Sequence, residues 1–533
     1  MKKLPLGIQN FAKIIEGDYV YADKTQYIYN LINGASCYFL SRPRRFGKSL
    51  LLNTIGEVFA GNKELFRGLW IYESDYDYAK YPVVRIDMSD ISTKNPDVLE
   101  RSILKELKFR IKKEGFDTDD DVPSDTFKYL IRKLHEKYNQ RVVVLIDEYD
   151  KPILDHIDNL ETASENRKVL KNFYGILKSM DEHLRFTFFT GVSKFTKTSL
   201  FSELNNLLDI TLINEYANIC GITKDELSRY FGEHIESLQA LDSCKKCDSL
   251  YDEILAWYDG YSWDGKTRVI NPFSLLNFFF KKRFAAFWYV SGTPSFLLNI
   301  MKQQPSAYTN MKNLRVTEMM LDTVELDKID PELILFQTGY LTIKEVILSG
   351  FEEASYILEM PNREVRKAFS LHVLSAFTES GNMHADRTQL EITDALHSGD
   401  LQKMLDLLRS LFASIPYQLH IDREAYYHSI FYAVMSVLGF DTDAEVSTSK
   451  GRIDAVLEME DKVYVMEFKY KDCAPETNQA EKEKLFTAAL NEGMVQIKER
   501  SYHTKYIGRG KTIYLAAFAF LGRDEIEMKM EIV

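Results

Sequence analysis

The first part of the chain alternates short apolar runs with longer segments in which apolar residues recur every three or four positions. Short runs of β-branched and aromatic residues are typical of strands buried on both faces, and the 3.6-residue period between them is typical of helices. Strands and helices in alternation predict a parallel sheet with crossover helices. The predicted strands lie within residues 1–220 and read CYFL, VVRIDM, RVVVLID, RFTFFTG and DITLI.

The pattern changes twice further along the chain. It becomes helical after residue 220, and later helices surround a small strand pair near LILFQTGYLTI and ASYILEM. After Pro416 it predicts an amphipathic helix, a hairpin, another helix and a last strand. We therefore predict an α/β protein with three domains. These are a parallel-sheet domain with a helical lid over 1–280, a mostly helical, winged-helix-like linker over 281–415, and a small α/β domain over 416–533.

Composition narrows the class of protein. The chain of 533 residues is 45% hydrophobic and 27% charged, as in ordinary globular proteins. Its formal net charge of -12 argues against a general polyanion binder, although a local basic face would suffice for nucleic acid. The cysteines are scattered, no signal-peptide pattern is visible, and no apolar run is long enough to span a bilayer. We therefore expect a cytoplasmic protein without a membrane partner.

A candidate phosphate-binding loop follows the first strand. The stretch YFLSRPRRFGKSLLL places Gly47, Lys48 and Ser49 between an apolar strand and an apolar helix. A glycine lets the backbone approach phosphate, a lysine reaches the β- and γ-phosphates, and a serine hydroxyl holds Mg²⁺. The helix N-terminus adds free N–H groups and the positive end of its dipole. Three arginines would add positive charge to the loop: Arg42, Arg44 and Arg45.

A second motif supports the first. In RVVVLIDEYDKP an apolar strand ends in Asp147 and Glu148. An aspartate at this place binds Mg²⁺ through water, and a glutamate polarises the attacking water. Both motifs lie at the carboxyl ends of strands, where open α/β sheets bind ligands.

A third strand also ends in polar residues. RFTFFTGVSKF runs into Thr190, Ser193 and Lys194, and Thr190 is our candidate for a residue that senses the γ-phosphate. For any single one of these residues, a strand that simply runs into a loop is an equal alternative.

Six separated stretches resemble, in order, the bacterial AAA-ATPase-like family, a branch of the P-loop ATPases. They lie within residues 4–280 and read YADKTQYIYNLI, RPRRFGKSLL, LIDEYDKPI, TGVSKF, WYDGYSWDG and INPFSLL. The usual P-loop pattern has glycine where Arg42 stands, but in this family RPRRFGKS is the normal form of the loop. The resemblance implies ATP and Mg²⁺ as ligands.

The C-terminal part carries a second candidate site in GRIDAVLEMEDKVYVMEFKYK. A hairpin that turns symmetrically about Glu460 and Asp461 places Asp454 directly opposite Glu467, and period 2 puts Lys469 on the same face as Glu467. Two close carboxylates repel unless a cation lies between them, and Mg²⁺ or Mn²⁺ suits hard oxygen ligands. Lys469 would then position or deprotonate water for attack on a phosphodiester. A surface hairpin with a carboxylate–lysine pair is the simpler alternative.

This hairpin resembles the PD-(D/E)XK nuclease superfamily, in the form fused to AAA-ATPase-like proteins, over residues 416–533. The resemblance makes Asp454 and Glu467 the acidic metal ligands and Lys469 the catalytic lysine. Such domains often add a glutamate from the preceding helix. Glu424 is the candidate for that ligand, and Glu445 competes because it lies nearer the hairpin.

Two features follow the hairpin. Gln496, with Arg500 four residues later and then Tyr502, resembles the Gln…Tyr element of RecB-like nucleases at a different spacing. The segment 498–511 has five Lys or Arg against one Glu, with rings between them at Tyr502, His503 and Tyr506. Basic charge beside stackable rings suits a nucleic-acid groove, and a solvated helix end with a turn is the equal alternative.

Together these patterns favour an ATP-dependent or ATP-gated metal nuclease that acts on DNA rather than RNA. Its predicted catalytic residues are Glu148, Asp454, Glu467 and Lys469. The expected cofactors are ATP and Mg²⁺, with Mn²⁺ as an alternative at the nuclease site. The competing hypothesis is a nucleotide-switched adaptor whose C-terminal domain binds nucleic acid or a partner without cutting it. Homo-oligomerisation is left open.

Overall fold

The structure is a computed structural model that describes most of the chain in two compact units. It describes residues 1–194, 200–201, 204, 206–240, 249–288, 314–322, 331–348, 353–378, 382–413, 442–448, 451–459, 461–474, 476–508, 510–522 and 525–533. The first unit contains the described residues up to 288 and those from 314 to 364. The second unit contains the described residues from 365 onward. The boundaries of the three domains predicted from the sequence stay a prediction.

A parallel five-stranded sheet forms the centre of the first unit, with the strand order β2-β3-β4-β1-β5. The strands are β1 Cys37–Ser41, β2 Val83–Asp87, β3 Val142–Asp147, β4 Leu184–Gly191 and β5 Leu208–Asp209. The three middle strands are buried almost throughout, as expected for strands covered on both faces. The predicted strand DITLI is shorter than expected. It ends at Asp209 because the carboxylate of that residue accepts the backbone N–H of Thr211 and turns the chain.

Helices precede and connect the strands of this sheet. They are α1 Phe11–Glu16, α2 Thr25–Asn33, α3 Lys48–Phe59, α4 Pro96–Lys113, α5 Pro123–Tyr138, α6 Lys151–Leu154 and α7 Leu160–Ser179. Short 3-10 turns lie at Lys63–Phe66, Trp70–Glu73, Met88–Asp90, Asp181–His183 and Asn214–Tyr216. Local sequence sets the helix starts: the side chains of Asn10, Asn95 and Asn159 accept backbone N–H groups at the starts of α1, α4 and α7.

Three helices after the sheet build a second apolar core, as the helical pattern after residue 220 predicts. They are α8 Lys224–Gln239, α9 Leu250–Tyr258 and α10 Pro272–Lys281. Thr223 and Glu226 form a capping box that starts α8. The core includes Ile222, Phe231 and, from the N-terminal segment, Val20. The N-terminal segment therefore packs against this helical part.

The rest of the first unit is a small antiparallel sheet with two helices. Its strands β6 Leu314–Thr317, β7 Thr342–Ile347 and β8 Ser355–Glu359 follow the order β6-β8-β7, and the helices are α11 Glu318–Asp322 and α12 Pro331–Thr338. The predicted strand pair is present, but its first strand begins later than expected. The letters LILFQT belong to α12, and the strand starts only after Gly339, whose φ of +93° ends the helix.

The second unit combines three helices with a mixed sheet. The helices are α13 Arg363–Thr378, which begins in the first unit, α14 Asn382–Ser398 and α15 Leu401–Ala413. The sheet order is β13-β12-β11-β10-β9, with β9 Thr442–Thr448, β10 Gly451–Glu458, β11 Lys462–Lys471, β12 Thr512–Leu521 and β13 Glu525–Ile532. Only β11 and β12 run parallel among these neighbours. Helix α16 Gln479–Glu499 packs on β11 and β12 and is followed by a 3-10 turn, Tyr502–Tyr506.

The predicted fold class is confirmed in both units: a parallel α/β sheet with connecting helices, and a small mixed-sheet α/β domain. Of the helices in the described ranges, none combines the length and apolar character needed to cross a membrane.

Candidate functional sites

The phosphate loop joins β1 to α3 and contains two residues in the left-handed region. Gly47 has φ +93° and Arg45 has φ +71°. A side chain added to Gly47 would meet no atom within 4 Å, so the backbone there faces open space. Glycine is favoured at position 47 because of this conformation and because it leaves the N-terminus of α3 accessible.

Arg42 does not face the loop's open side, which corrects the expectation that it adds charge for phosphate. It is fully buried, and its Nη1 donates to the carbonyl oxygens of Ser41 and Thr211, each at 2.9 Å. Its Nη2 donates to the carbonyl of Tyr216, and the guanidinium lies 4.0 Å from the ring centroid of Trp263. Burial lowers the pKa of Arg42 to about 10, so the group stays charged at neutral pH. Arg42 therefore anchors the loop to the body of the unit.

Aromatic residues of the WYDGYSWDG stretch hold the loop from outside. Phe46 packs edge-on against Tyr261 and Trp263, with ring centroids 4.7 and 5.4 Å apart. Lys48 is also buried, and its Nζ donates to the carbonyls of Arg42 at 2.9 Å and Pro43 at 3.0 Å. Burial lowers the pKa of Lys48, while nearby carboxylates oppose that shift. The loop is thus preformed around the lysine.

Asp147 and Glu148 lie at the end of β3, separated from β1 by β4. Asp147 is fully buried, and its Oδ1 accepts the hydroxyl of Thr190 at 2.7 Å. Arg85 lies on the other side, 3.5 Å from Oδ2. Glu148 has φ +49°, and burial raises its pKa. A non-glycine residue in this region is strained, which is common at functional positions.

Thr190 donates its hydroxyl to Asp147, and both side chains are fully buried. Neither residue is among those that line the cavity beside the loop. The other polar residues after β4 are also engaged: Ser193 donates to Asp150, and Lys194 pairs with Asp209 at 3.0 Å. Thr190 therefore holds the side chain of Asp147, and a contact of Thr190 with the γ-phosphate stays a prediction.

A cavity of about 390 Å³ opens beside the phosphate loop. This lies within the range of roughly 300–1,000 Å³ that is usual for small-molecule sites. Residues 44–51 of the loop and α3, with Glu148 and Lys151, form one part of the wall. Apolar side chains form another part, among them Val20, Ile222 and Phe231. A polar end beside an apolar recess fits a nucleoside triphosphate.

Sequence patterns did not identify two polar residues of this wall, Lys24 and Cys220. Lys24 lies in the stretch YADKTQYIYNLI. The available signal was the pair of charged residues, Asp23 and Lys24, that directly precedes a helix. Cys220 carried no such signal, because a single cysteine among apolar residues looks like ordinary core.

The second candidate site lies on β10 and β11. The predicted hairpin register is confirmed, because β10 and β11 pair Ala455 with Met466 and Val456 with Val465. Continued by one position, this register sets Asp454 opposite Glu467. The backbone N–H of Phe468 donates to Asp454 Oδ2 at 2.9 Å.

Glu467 is the centre of this site. It is fully buried, and its Oε1 accepts hydrogen bonds from Lys469 Nζ at 3.2 Å and from the side-chain amide of Gln496 on α16. Its Oε2 is buried and has no hydrogen-bond partner among the described residues. Burial raises the pKa of Glu467 to about 7, and the charge of Asp454 acts in the same direction. An unpartnered carboxylate oxygen beside a second carboxylate fits a divalent cation.

The two candidates for a third acidic ligand have different outcomes. Glu424 lies outside the described residues. The backbone of Glu445 lies opposite Asp454, because β9 and β10 pair Val446 with Ile453 and Ala444 with Ala455. Within the described side chains, no group of three or more His, Cys, Asp or Glu residues gathers as a metal site. The choice between Glu424 and Glu445 stays a prediction.

The basic segment 498–511 is less available for binding nucleic acid than expected. Tyr506 is 4% exposed and packs in the core with Val456 and Ile513, so its ring cannot stack on a base. Lys498 and Lys511 form ion pairs with Glu531 and Glu458. Arg500 ends α16 one turn after Gln496, and its charge lowers the pKa of Glu467. The parallel to a Gln…Tyr element stays a prediction.

These two arrangements define the protein class: a P-loop ATPase domain followed by a nuclease-superfamily domain. The sequence model of the predicted AAA-ATPase family matches residues 5–201, and that of the PD-(D/E)XK nuclease superfamily matches residues 422–529. The chain belongs to this AAA-ATPase-like family and carries the nuclease-superfamily domain at its C-terminal end. Proteins with these two kinds of domain generally use a nucleotide and a divalent metal.

The chain is similar to a relative of known sequence and to a protein of solved structure. The relative is described as "Uncharacterized protein in vnfD 5'region", from Azotobacter chroococcum mcd 1. It is 38% identical over 527 residues, which cover 97% of this chain and 96% of the relative. The structure is that of the Aeropyrum pernix ORC2 protein in ADPNP and ADP complexes. It is 10% identical, with a TM-score of 0.26 over 66% of this chain and 93% of that one.

Proposed function

We propose that the protein is a divalent-metal-dependent nuclease acting on DNA, and that the ATP state of its first unit controls cleavage by its second. The observation that carries this proposal is the buried oxygen Glu467 Oε2, which lacks a described partner next to Asp454 and Lys469. A buried carboxylate oxygen without a partner is costly, and a bound cation would remove that cost.

At the nuclease site, Asp454 and Glu467 hold the metal ion. Gln496 and Lys469 both bond to Glu467 Oε1, which leaves Oε2 without a hydrogen bond from the described residues and able to bind an ion. The ion supplies charge that polarises the phosphodiester and lowers the pKa of water. Lys469 holds the attacking water or stabilises the charge that develops on the phosphate oxygens.

At the ATP site, Lys48 and the N-terminus of α3 bind the phosphates, and Arg44 and Arg45 add charge at the cavity wall. Ser49 and Asp147 hold Mg²⁺, with Thr190 and Arg85 fixing the aspartate. Glu148 lines the cavity and orients the attacking water.

Packing around the phosphate loop supports control by ATP. Trp288 Nε1 donates to the carbonyl of Arg44 at 3.4 Å, and its backbone N–H donates to Glu364 at 2.8 Å. Glu364 is the last residue of the first unit. These contacts give a shift of the loop on nucleotide binding a route through Trp288 to the point where the chain leaves this unit.

The metal site can be tested by calorimetric titration of Mn²⁺ into the full chain. The Lys48→Ala background silences the ATP site. Asp454→Asn and Glu467→Gln should each abolish Mn²⁺ binding at the second site, because a single carboxylate holds such an ion poorly. Lys469→Ala should retain binding, because the ammonium acts on water or phosphate rather than on the ion. Unchanged Mn²⁺ binding in both carboxylate variants would contradict the nuclease and favour the adaptor hypothesis.

A further inference from the structure

A buried ammonium group lies in the wall of the nucleotide cavity, on the side formed by the N-terminal segment. Lys24 is 7% exposed and lines the same cavity as the phosphate loop. Its Nζ donates to both carboxylate oxygens of Glu226, at 2.6 and 2.7 Å. Two of its three N–H groups are thereby used, and within the described part of the chain the third has no protein partner.

The residues around this ion pair fix its position. Asp23 Oδ1 accepts the backbone N–H and hydroxyl of Thr25, and its Oδ2 accepts the backbone N–H of Trp70 at 2.7 Å. Glu226 is held in turn, because it forms the capping box of α8 with Thr223. Lys24 is therefore a pre-positioned donor rather than a flexible surface cation.

Much of the cavity wall near Lys24 is apolar. Ala22 lies two residues before it, and Val20, Ile222 and Phe231 belong to the core of α8, α9 and α10 and also line the cavity. Apolar walls suit the faces of a base, and one fixed polar group is how such pockets gain specificity. Burying an ion pair stabilises a fold little, so stability alone is a weak reason for it to be there.

We propose that Lys24 determines base specificity, its third N–H donating to a ring nitrogen of the adenine while Glu226 holds the ammonium in place. The proposal rests on the proposed ATP binding at the phosphate loop. In this proposal Lys24 contacts the base, whereas the other residues proposed at this site contact only phosphate, metal or water.

The test measures the binding of ATP and of inorganic tripolyphosphate to the full chain. Each ligand is titrated in the presence of Mg²⁺. Lys24→Met keeps the length of the side chain and removes the donor. It should weaken ATP binding about tenfold or more, as expected for loss of a charge-assisted hydrogen bond, and leave tripolyphosphate binding unchanged. Lys48→Ala is the matched control, since it removes a cation from the same cavity and should weaken both ligands.

Lys24→Met leaves Glu226 without its partner, so the double variant Lys24→Met/Glu226→Gln is measured alongside and should behave in the same way. Three analogues, 1-deaza-, 3-deaza- and 7-deaza-ATP, identify the acceptor. One of them should bind the parent protein about tenfold more weakly than ATP and lose nothing further on Lys24→Met.

The outcomes separate this proposal from the one on which it rests. If Lys24→Met and the double variant weaken the binding of ATP and of tripolyphosphate equally, the ion pair has only a structural role. That result would overturn the proposed contact with the base and leave the proposed nucleotide site unaffected. Full ATP affinity in both variants, or three deaza analogues that bind like ATP, would also overturn it. A parent protein that binds neither ATP nor tripolyphosphate would overturn the nucleotide site itself.

Discussion

Arg42 joins three separate parts of the first unit through one guanidinium group. It donates to the carbonyls of Thr211 and Tyr216 and lies on the ring of Trp263. Removing a buried charged donor costs about 1.5–3 kcal/mol for each hydrogen bond that is lost. Arg42→Ala should therefore lower the stability of the first unit by about 3 kcal/mol or more, seen as a lower melting temperature.

Arg44→Ala is the control for that variant, because it removes the same charge from the same loop. Arg44 lines the cavity, so its loss should weaken nucleotide binding and change the melting temperature little. If Arg42→Ala instead keeps the parent's melting temperature and loses only nucleotide affinity, the anchoring role is wrong.

Glu364 gives the first unit a specific pH dependence. Burial raises its pKa from 4.5 to about 7, and its Oε2 has no hydrogen-bond partner among the described residues. Between those pH values the folded state keeps a proton that the unfolded state has released. Stability therefore falls as pH rises through this window, by up to about 3 kcal/mol above pH 7.

Glu364→Gln should remove this contribution, because the amide cannot ionise and its oxygen still accepts the N–H of Trp288. The variant should melt higher than the parent at pH 8, with a smaller difference at pH 5. Melting curves of both proteins between pH 5 and pH 8 measure the difference in melting temperature. The contributions of other buried carboxyl groups are common to both proteins and cancel in that difference. A constant difference between the two proteins at every pH would contradict the assignment.

At the scale of elements, the turn after α12 packs directly on the phosphate loop. Gly339 has φ +93°, and a Cβ atom there would lie 2.8 and 2.9 Å from the side chain of Pro43. The carbonyl of Pro43 is also an acceptor for Lys48. Gly339→Ala should therefore displace the loop and weaken ATP binding several-fold in an equilibrium titration.

Gly115→Ala is the matched control. Gly115 has φ +81°, but an added Cβ would meet no atom within 4 Å. Both substitutions carry the backbone strain of about 1–2 kcal/mol, and only the one at 339 pushes on the loop. Equal ATP affinities in the two variants would show that the turn and the loop are not coupled.

The helices, the strands and the ends of some strands could be predicted from the sequence, whereas the contacts between them could not. The ends of β1 and β3 and the register of β10 with β11 follow from local patterns, because apolar runs and a symmetric turn are visible within a few residues. The burial of Arg42 against Trp263 and of Tyr506 in a core depends on residues that a local pattern does not include. For the same reason the hydrogen bond from Thr190 to Asp147, which joins two strands, could not be predicted from the sequence.

On the scale of the whole molecule, the chain joins an ATPase-family unit to a nuclease-superfamily unit. The first unit has a preformed phosphate loop packed against Trp288, and the second has the buried carboxyl group of Glu467 beside Asp454 and Lys469. Each site is built from residues of its own unit. The proposed control therefore requires that ATP change what the second site does.

Cleavage of labelled single- and double-stranded DNA by the full chain in Mn²⁺, with and without ATP, tests this most directly. We expect Asp454→Asn to abolish cleavage under all conditions. In the parent, ATP should accelerate cleavage by roughly 5- to 150-fold, the usual range of coupling between sites. Lys48→Ala should stay at the rate seen without ATP, and Glu148→Gln should respond to ATP without hydrolysing it. Cleavage that persists in Asp454→Asn, or that proceeds at one rate with and without ATP, would contradict the account.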